Sequence, residues 1–246
     1  MALLSDLRDA YARRPIIVIG GGPSVANDLH KIPKSYPACV ISANEHGFRQ
    51  DRFDVNYIVS VDYTYSMSRT PMREKLAQYG RPSINRWSWA DYRIPEWHFN
   101  GDSGLSAIAV AVMLGGWPVI ALGMDRWVGP KRYFWQEAPS GWDRRRQPNS
   151  DSIRVNTQRC VEFCAGFPVR TLSGVMQTYW PKWEGPDADY GPWVAHAAPQ
   201  RTLTGKPYSI LARIFLHPAD PVDHGPLILT AREAQPFLRV GKIRPA

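Results

Sequence analysis

Cysteine is scarce: Cys39, Cys160 and Cys164 are the only three in 246 residues, and an odd count builds no closed disulfide framework. Cys160 and Cys164 stand four apart in a helix-like stretch and read as small buried residues rather than metal ligands. His98, His196, His217 and His224 show no ligand spacing. Long apolar runs are missing as well: no run of roughly eighteen or more apolar residues, the length a spanning helix needs, appears. The segment Met1 to Arg14 is polar and charged, unlike a secretory signal. There is no internal repeat. These absences argue against a membrane span or an oxidised secreted scaffold, and they fit a reducing cytoplasm.

What is present is an ordinary globular interior, 44% hydrophobic, on a strongly basic chain of net charge +8. That excess, with a pI near 9.5, favours polyanionic partners such as nucleic acid or phosphorylated substrates. The ten tryptophans are the more unusual feature, because several sit among basic residues. They occur in Arg86-Trp87-Ser88-Trp89, Arg126-Trp127, Lys131-Arg132-Tyr133-Phe134-Trp135 and Trp142-Asp143-Arg144-Arg145-Arg146. Aromatic faces interleaved with guanidinium groups suit stacking on bases or sugars while phosphates are held. Core-capping aromatics beside a solvated basic face are the plainer reading of the same pattern.

Hydrophobic periodicity outlines an α/β fold. Leu3, Leu4, Leu7, Ala10 and Tyr11 predict a short amphipathic helix that Pro15 stops. Ile16-Ile17-Val18-Ile19 is a β-branched run of the kind buried on both faces of a parallel sheet. Further strands are predicted over Ala38–Asn44, Tyr57–Asp62, Pro82–Asn85, Pro118–Gly123 and Pro168–Leu172. Helices are predicted after Pro23, over Met72–Tyr79, Leu105–Leu114 and Ser150–Ala165. The expected architecture is a Rossmann-like, mostly parallel sheet with helices on both faces, over residues 1–172. Residues 173–246 read as an irregular, aromatic- and Pro-rich extension with short strands, a candidate acceptor-binding or oligomerisation arm for a homo-oligomer.

The chemistry is expected where parallel strands end. Gly20-Gly21-Gly22-Pro23-Ser24 joins a buried strand to a helix, a corner whose backbone amides and helix dipole can face a phosphate. It lacks the third glycine of the dinucleotide fingerprint, since Val25 stands there, and it is not followed by the Lys of a Walker loop. A tight turn without a ligand is the alternative. Asn44, Glu45, Asp62, Asp102, Ser103 and Asp125 fall at the other strand and helix ends of the same rim. Each alone has a dull explanation, Asp102 or Ser103 as an N-cap for instance; their coincidence carries the argument.

Taken together, Ile-Val-Ile-Gly-Gly-Gly-Pro-Ser at 17–24, Ser-Ala-Asn at 42–44, the stretch from Asp102 to Gly116 and Ile-Ala-Leu-Gly-Met-Asp at 120–125 resemble the bacterial sialyltransferases. They also resemble the related flagellin-associated glycosyltransferases and 6-hydroxymethyl-dihydropterin pyrophosphokinases, over roughly residues 15–172. The resemblance implies that Gly20, Gly21, Gly22, Pro23 and Ser24 hold the nucleotide phosphate and that Asn44 contacts nucleotide or sugar. It implies that Ser103 and Gly104 hold the donor, with Asp125 nearby, and that Tyr133 assists the leaving phosphate. Two departures stand out: Gly21 replaces the family's Asn, and the loop 137–152 lacks its general-base His. Asp125, Asp143, Asp151 and His46 are left as bases, and a carboxylate would need a raised pKa for the task.

Three functions follow as expectations. The first is a glycosyltransferase taking a sugar from a nucleotide-sugar donor to a hydroxyl, with Asp125, Tyr133 and Asp143 as catalytic candidates. Arg126, Trp127, Lys131, Arg132, Trp135, Trp142, Arg144, Arg145 and Arg146 would then bind the acceptor, a nucleic acid such as modified viral DNA being one candidate. The second is a pyrophosphokinase-like phosphate transfer, with Asp62 and Asp125 holding Mg²⁺ if their strands bring them within reach. The third is a non-catalytic nucleic-acid binder. No resident metal or cofactor is expected under the first.

Overall fold

Along the strand Arg14–Ile19 the residues Ile16 and Val18 face one hydrophobic cluster, and Ile17 and Ile19 face another. All four are completely buried, which is why the run has no polar alternation. The computed structural model describes residues 2–62, 71–94, 102–125, 133–135 and 154–193, together with the backbone of 151–153, 206–210, 227–229 and 243–245.

Within that chain the strands are β1 (Ala2–Leu3), β2 (Arg14–Ile19), β3 (Cys39–Ala43), β4 (Tyr57–Val59), β5 (Ser83–Asn85), β6 (Tyr92–Arg93), β7 (Gly116–Leu122) and β8 (Val169–Thr171). They form one sheet in the order β1-β6-β5-β4-β3-β2-β7-β8, every pairing parallel. The helices are α1 (Val25–His30), α2 (Met72–Ala77), α3 (Ser103–Met113) and α4 (Asp151–Phe163). Residues of α3 and α4 pack with Ile16 and Val18 on one face, while Val25 and Leu29 of α1 pack with Ile17 and Ile19 on the other. The expected α/β architecture, a Rossmann-like parallel sheet with helices on both faces, is therefore observed.

Strand order reverses at β2. From there the chain builds outward through β3, β4, β5 and β6, then returns to lay β7 and β8 on the opposite side. The crevice between the carboxyl ends of β2 and β7 is thus the topological switch point, the usual ligand position in such sheets.

Helix α3 explains how the rim is held. Ala107, Ala109 and Ala111 let it lie close on the sheet, and it is buried on nearly every side. The Asp102 carboxylate caps its start by accepting the Leu105 N–H at 3.0 Å.

The predicted N-terminal helix is not formed. Residues Ala2–Leu3 make an edge strand on β6, a 3₁₀ turn covers Leu4–Leu7, and Asp9 and Arg13 take left-handed φ of 56° and 63°. The amides of Asp9 and Tyr11 instead donate to the Met113 and Leu114 carbonyls at the end of α3. Tertiary hydrogen bonding overrides the helical spacing of Leu3, Leu4, Leu7 and Tyr11.

The chain separates into two compact units, Met1–His196 and Ala197–Ala246. Residues 173–193 belong to the first: Trp180 joins one core cluster and Trp183 the other, and Trp183 N–H donates to the Thr171 carbonyl at 3.1 Å. Among the described residues of the second unit, β9 (Lys206–Ile210) lies between β10 (Leu227–Leu229) and β11 (Ile243–Pro245), antiparallel to both. Among the described residues no helix is long and apolar enough to cross a membrane.

Candidate active site

The Gly-rich corner after β2 uses its amides inside the fold. Gly20 N–H donates to the Leu122 carbonyl at 2.9 Å, and Gly22 N–H donates to the Gly123 carbonyl at 2.8 Å. Ser24 N–H donates to Asp125 Oδ2 at 2.8 Å. The expectation that these three amides cradle a phosphate is therefore corrected: β7 and a carboxylate satisfy them, as buried backbone donors require. A carboxylate already occupies the place where an anion would have been held.

Glycine is nevertheless needed here for space. A Cβ on Gly22 would overlap the Asp125 carboxylate and approach the Gly123 carbonyl to 2.7 Å. A Cβ on Gly21 would come within 2.6 Å of Tyr133 Cδ1 and 2.7 Å of His46 Nε2.

Asp125 stands three residues beyond the end of β7 and is only 8% exposed. Ser24 links it to a second buried acid, donating its hydroxyl to Asp28 Oδ2 at 2.7 Å. Ser173 Oγ accepts the Met124 N–H at 2.9 Å and lies 3.5 Å from the same Asp28 oxygen. Burial pushes the Asp125 carboxyl above the usual carboxylate range, and the nearby Asp28 charge adds to this, against the hydrogen bonds from Ser24. That is the direction in which the pKa of a carboxylate base must be moved.

A second polar group lies at the ends of β3 and β4. Asn44 adopts a left-handed φ of 54°, a conformation asparagine tolerates. Its Nδ2 donates to Asp62 Oδ2 at 2.9 Å, and Ser103 Oγ approaches the same oxygen at 3.3 Å while accepting the Val61 N–H at 3.1 Å. Asn44 Oδ1, Asn85 Nδ2 and Arg86 Nε are buried without hydrogen-bond partners. The three lie at the ends of β3 and β5, the strands on either side of β4. Such orphaned groups are rare unless something else satisfies them. Neither Asn85 nor Arg86 was singled out for the rim by the sequence; only their position at the end of β5 could have signalled it.

His46, in the 3₁₀ turn after β3, packs at a tilt against Tyr133 with ring centroids 4.7 Å apart, and Trp135 stacks on Tyr133 at 5.1 Å. Phe134 N–H donates to the Gly21 carbonyl at 2.9 Å, so 133–135 lies across the corner. The Arg49 guanidinium sits 5.1 Å over the Trp135 ring. Beneath His46, the buried Glu45 carboxylate accepts from Lys75 Nζ at 2.6 Å.

Of the expected residues, Gly20 to Ser24, Asn44, Asp62, Ser103, Asp125, Tyr133 and Trp135 gather on the rim. Gly104 serves packing, since a Cβ there would press on Met124 Sδ at 2.8 Å. Asp62 and Asp125 belong to separate hydrogen-bonded groups, on Asn44 and Ser24 respectively. Among the described residues no group of three His, Cys, Asp or Glu side chains could hold a metal ion. Arg126, Trp127, Lys131, Arg132, Trp142, Asp143, Arg144, Arg145 and Arg146 lie outside the described residues. Comparison with protein-family models, curated proteins and solved structures returned no match.

Proposed function

We propose that this chain is a glycosyltransferase-type enzyme that moves a sugar from a nucleotide-sugar donor to a hydroxyl acceptor at the carboxyl-end rim. The observation that carries the reading is Asp125: a buried carboxylate at the switch point, with its proton affinity raised by its surroundings. In the reaction Asp125 takes the acceptor proton, the hydroxyl oxygen forms its bond to the anomeric carbon, and the bond from that carbon to the donor phosphate breaks. The nucleotide leaves with the electron pair, and the Tyr133 hydroxyl donates to its phosphate. Asn44 Oδ1 and the Arg86 guanidinium bind polar groups of the donor. The Gly-rich corner acts as the scaffold that lets Asp125, His46 and Tyr133 approach, in place of an amide cradle.

A thermal-shift panel of cytidine, uridine and guanosine nucleotide-sugars, with and without Mg²⁺, tests this. One donor at a hundred times its Kd should stabilise the chain by about 2.7 kcal/mol. The same donor should turn over with wild type and not with Asp125→Asn. A panel that shifts nothing removes the reading; stabilisation by ATP with Mg²⁺ alone would replace it with phosphate transfer.

A further inference from the structure

The opposite end of the sheet carries a cavity of its own. It has a volume of about 440 Å³ and is lined by Arg73, Gly80, Arg81, Ser83, Trp89 and Asp91, among others. Gly80 to Pro82 lead into β5, and Asp91 leads into β6, so the cavity opens at the amino ends of these strands. The rim with Asn44, Ser103 and Asp125 is at the carboxyl ends. The two are separate places on the fold.

The lining is specific in kind. Arg73 comes from α2 and Arg81 from the turn after it, both exposed, and among the described residues neither is in an ion pair. Asp91 is held by Ser83, its Oδ2 accepting the Ser83 N–H at 2.7 Å and the Ser83 hydroxyl at 2.9 Å, and one carboxylate against two guanidinium groups leaves these side chains net positive. Trp89 is half-buried and packs against the cluster of Ile58, Met72 and Leu76, which holds the indole in place at the cavity wall. Two free guanidinium groups beside a fixed indole within about 300–1,000 Å³ match a ligand that is planar at one end and anionic at the other.

We propose that this cavity binds a nucleotide unit, with the base on Trp89 and the phosphate between Arg73 and Arg81. Trp89, Arg73 and Arg81 thereby gain a role that the rim does not use, in keeping with the net charge of +8. The unit is either a free nucleotide or one residue of a single strand, and competition separates the two.

The test is an anisotropy titration of a labelled oligothymidylate over a range of salt. Arg73→Glu/Arg81→Glu should weaken binding and reduce the slope of log affinity against log salt by about 0.7, one phosphate contact on a single strand. Because both side chains are exposed, an unchanged Tm confirms that the fold survives. Trp89→Leu should weaken binding by about tenfold with the salt slope unchanged, the signature of lost stacking. Thymidine monophosphate displacing the strand identifies a free-nucleotide site, and strand binding that it does not displace identifies a strand site. Unchanged affinity in the double variant overturns the proposal. So does a base-free polyanion, such as a heparin fragment, that competes as well as the oligonucleotide.

Discussion

Asp125 accepts the backbone N–H of Ser24 at 2.8 Å, joining the end of β7 to the start of α1 across 101 positions of chain. The contact makes one carboxylate both the closure of the switch-point crevice and the strongest candidate for its chemistry.

The two roles separate in Asp125→Asn. The amide oxygen can still accept from Ser24, so the contact survives while the charge is lost. The folded chain holds the Asp125 proton more tightly than the unfolded chain does, so stability falls as pH rises from the unfolded pKa, about 3.9, through the raised folded value. The variant escapes that loss. Its Tm should equal or exceed wild type at neutral pH, and the gap should close on acidification. Turnover should fall by about 10²–10⁴-fold. A variant that melts well below wild type at neutral pH would show the charge to be structural.

Glu45 has the opposite sign. Burial alone would raise its pKa, but His46 and the hydrogen-bonded Lys75 outweigh it and hold the carboxyl below its ordinary range. Its stabilisation is present above the unfolded pKa and lost as pH falls through the folded one. Lys75→Met strands a carboxylate that is 1% exposed and should cost about 3–5 kcal/mol in denaturant unfolding. Adding Glu45→Gln should recover most of it.

Gly22→Ala should destabilise by about 1–3 kcal/mol, because the new methyl meets the Asp125 carboxylate and the Gly123 carbonyl together. Any donor-induced thermal shift should shrink with it. Denaturant midpoints and donor titrations on the same variant check both parts.

Ser103→Ala removes the acceptor of the buried Val61 N–H and one neighbour of Asp62. The orphaned amide should cost about 1–3 kcal/mol. Ser103→Thr, which keeps the hydroxyl, should recover most of that loss in the same unfolding measurement.

The strands were readable because burial on both faces demands uninterrupted apolar runs, and Ile16–Ile19 and Val119–Leu122 supply them. The rim was readable for a related reason: Asn44, Asp62 and Asp125 follow such apolar runs just past the strands, and Ser103 opens the helix between them. What the Gly-rich corner does with its amides was not readable, since Leu122 and Gly123 accept from it through backbone groups common to every residue. The proton affinity of Asp125 depends on Asp28 and Ser24, which are brought beside it only by folding. Helical spacing misled at the N-terminus, where Asp9 and Arg13 adopt left-handed backbone that no periodicity reveals.

Helix α3 is tethered twice: Ser103 holds Val61 and Asp62 at one end, and the Asp9 and Tyr11 amides grip the Met113 and Leu114 carbonyls at the other. The opening dozen residues therefore work as a distant brace for the rim. Trimming them would loosen a rod whose far tip reaches Asp62, so a shortened chain should lose order at the rim without losing a single side chain from it.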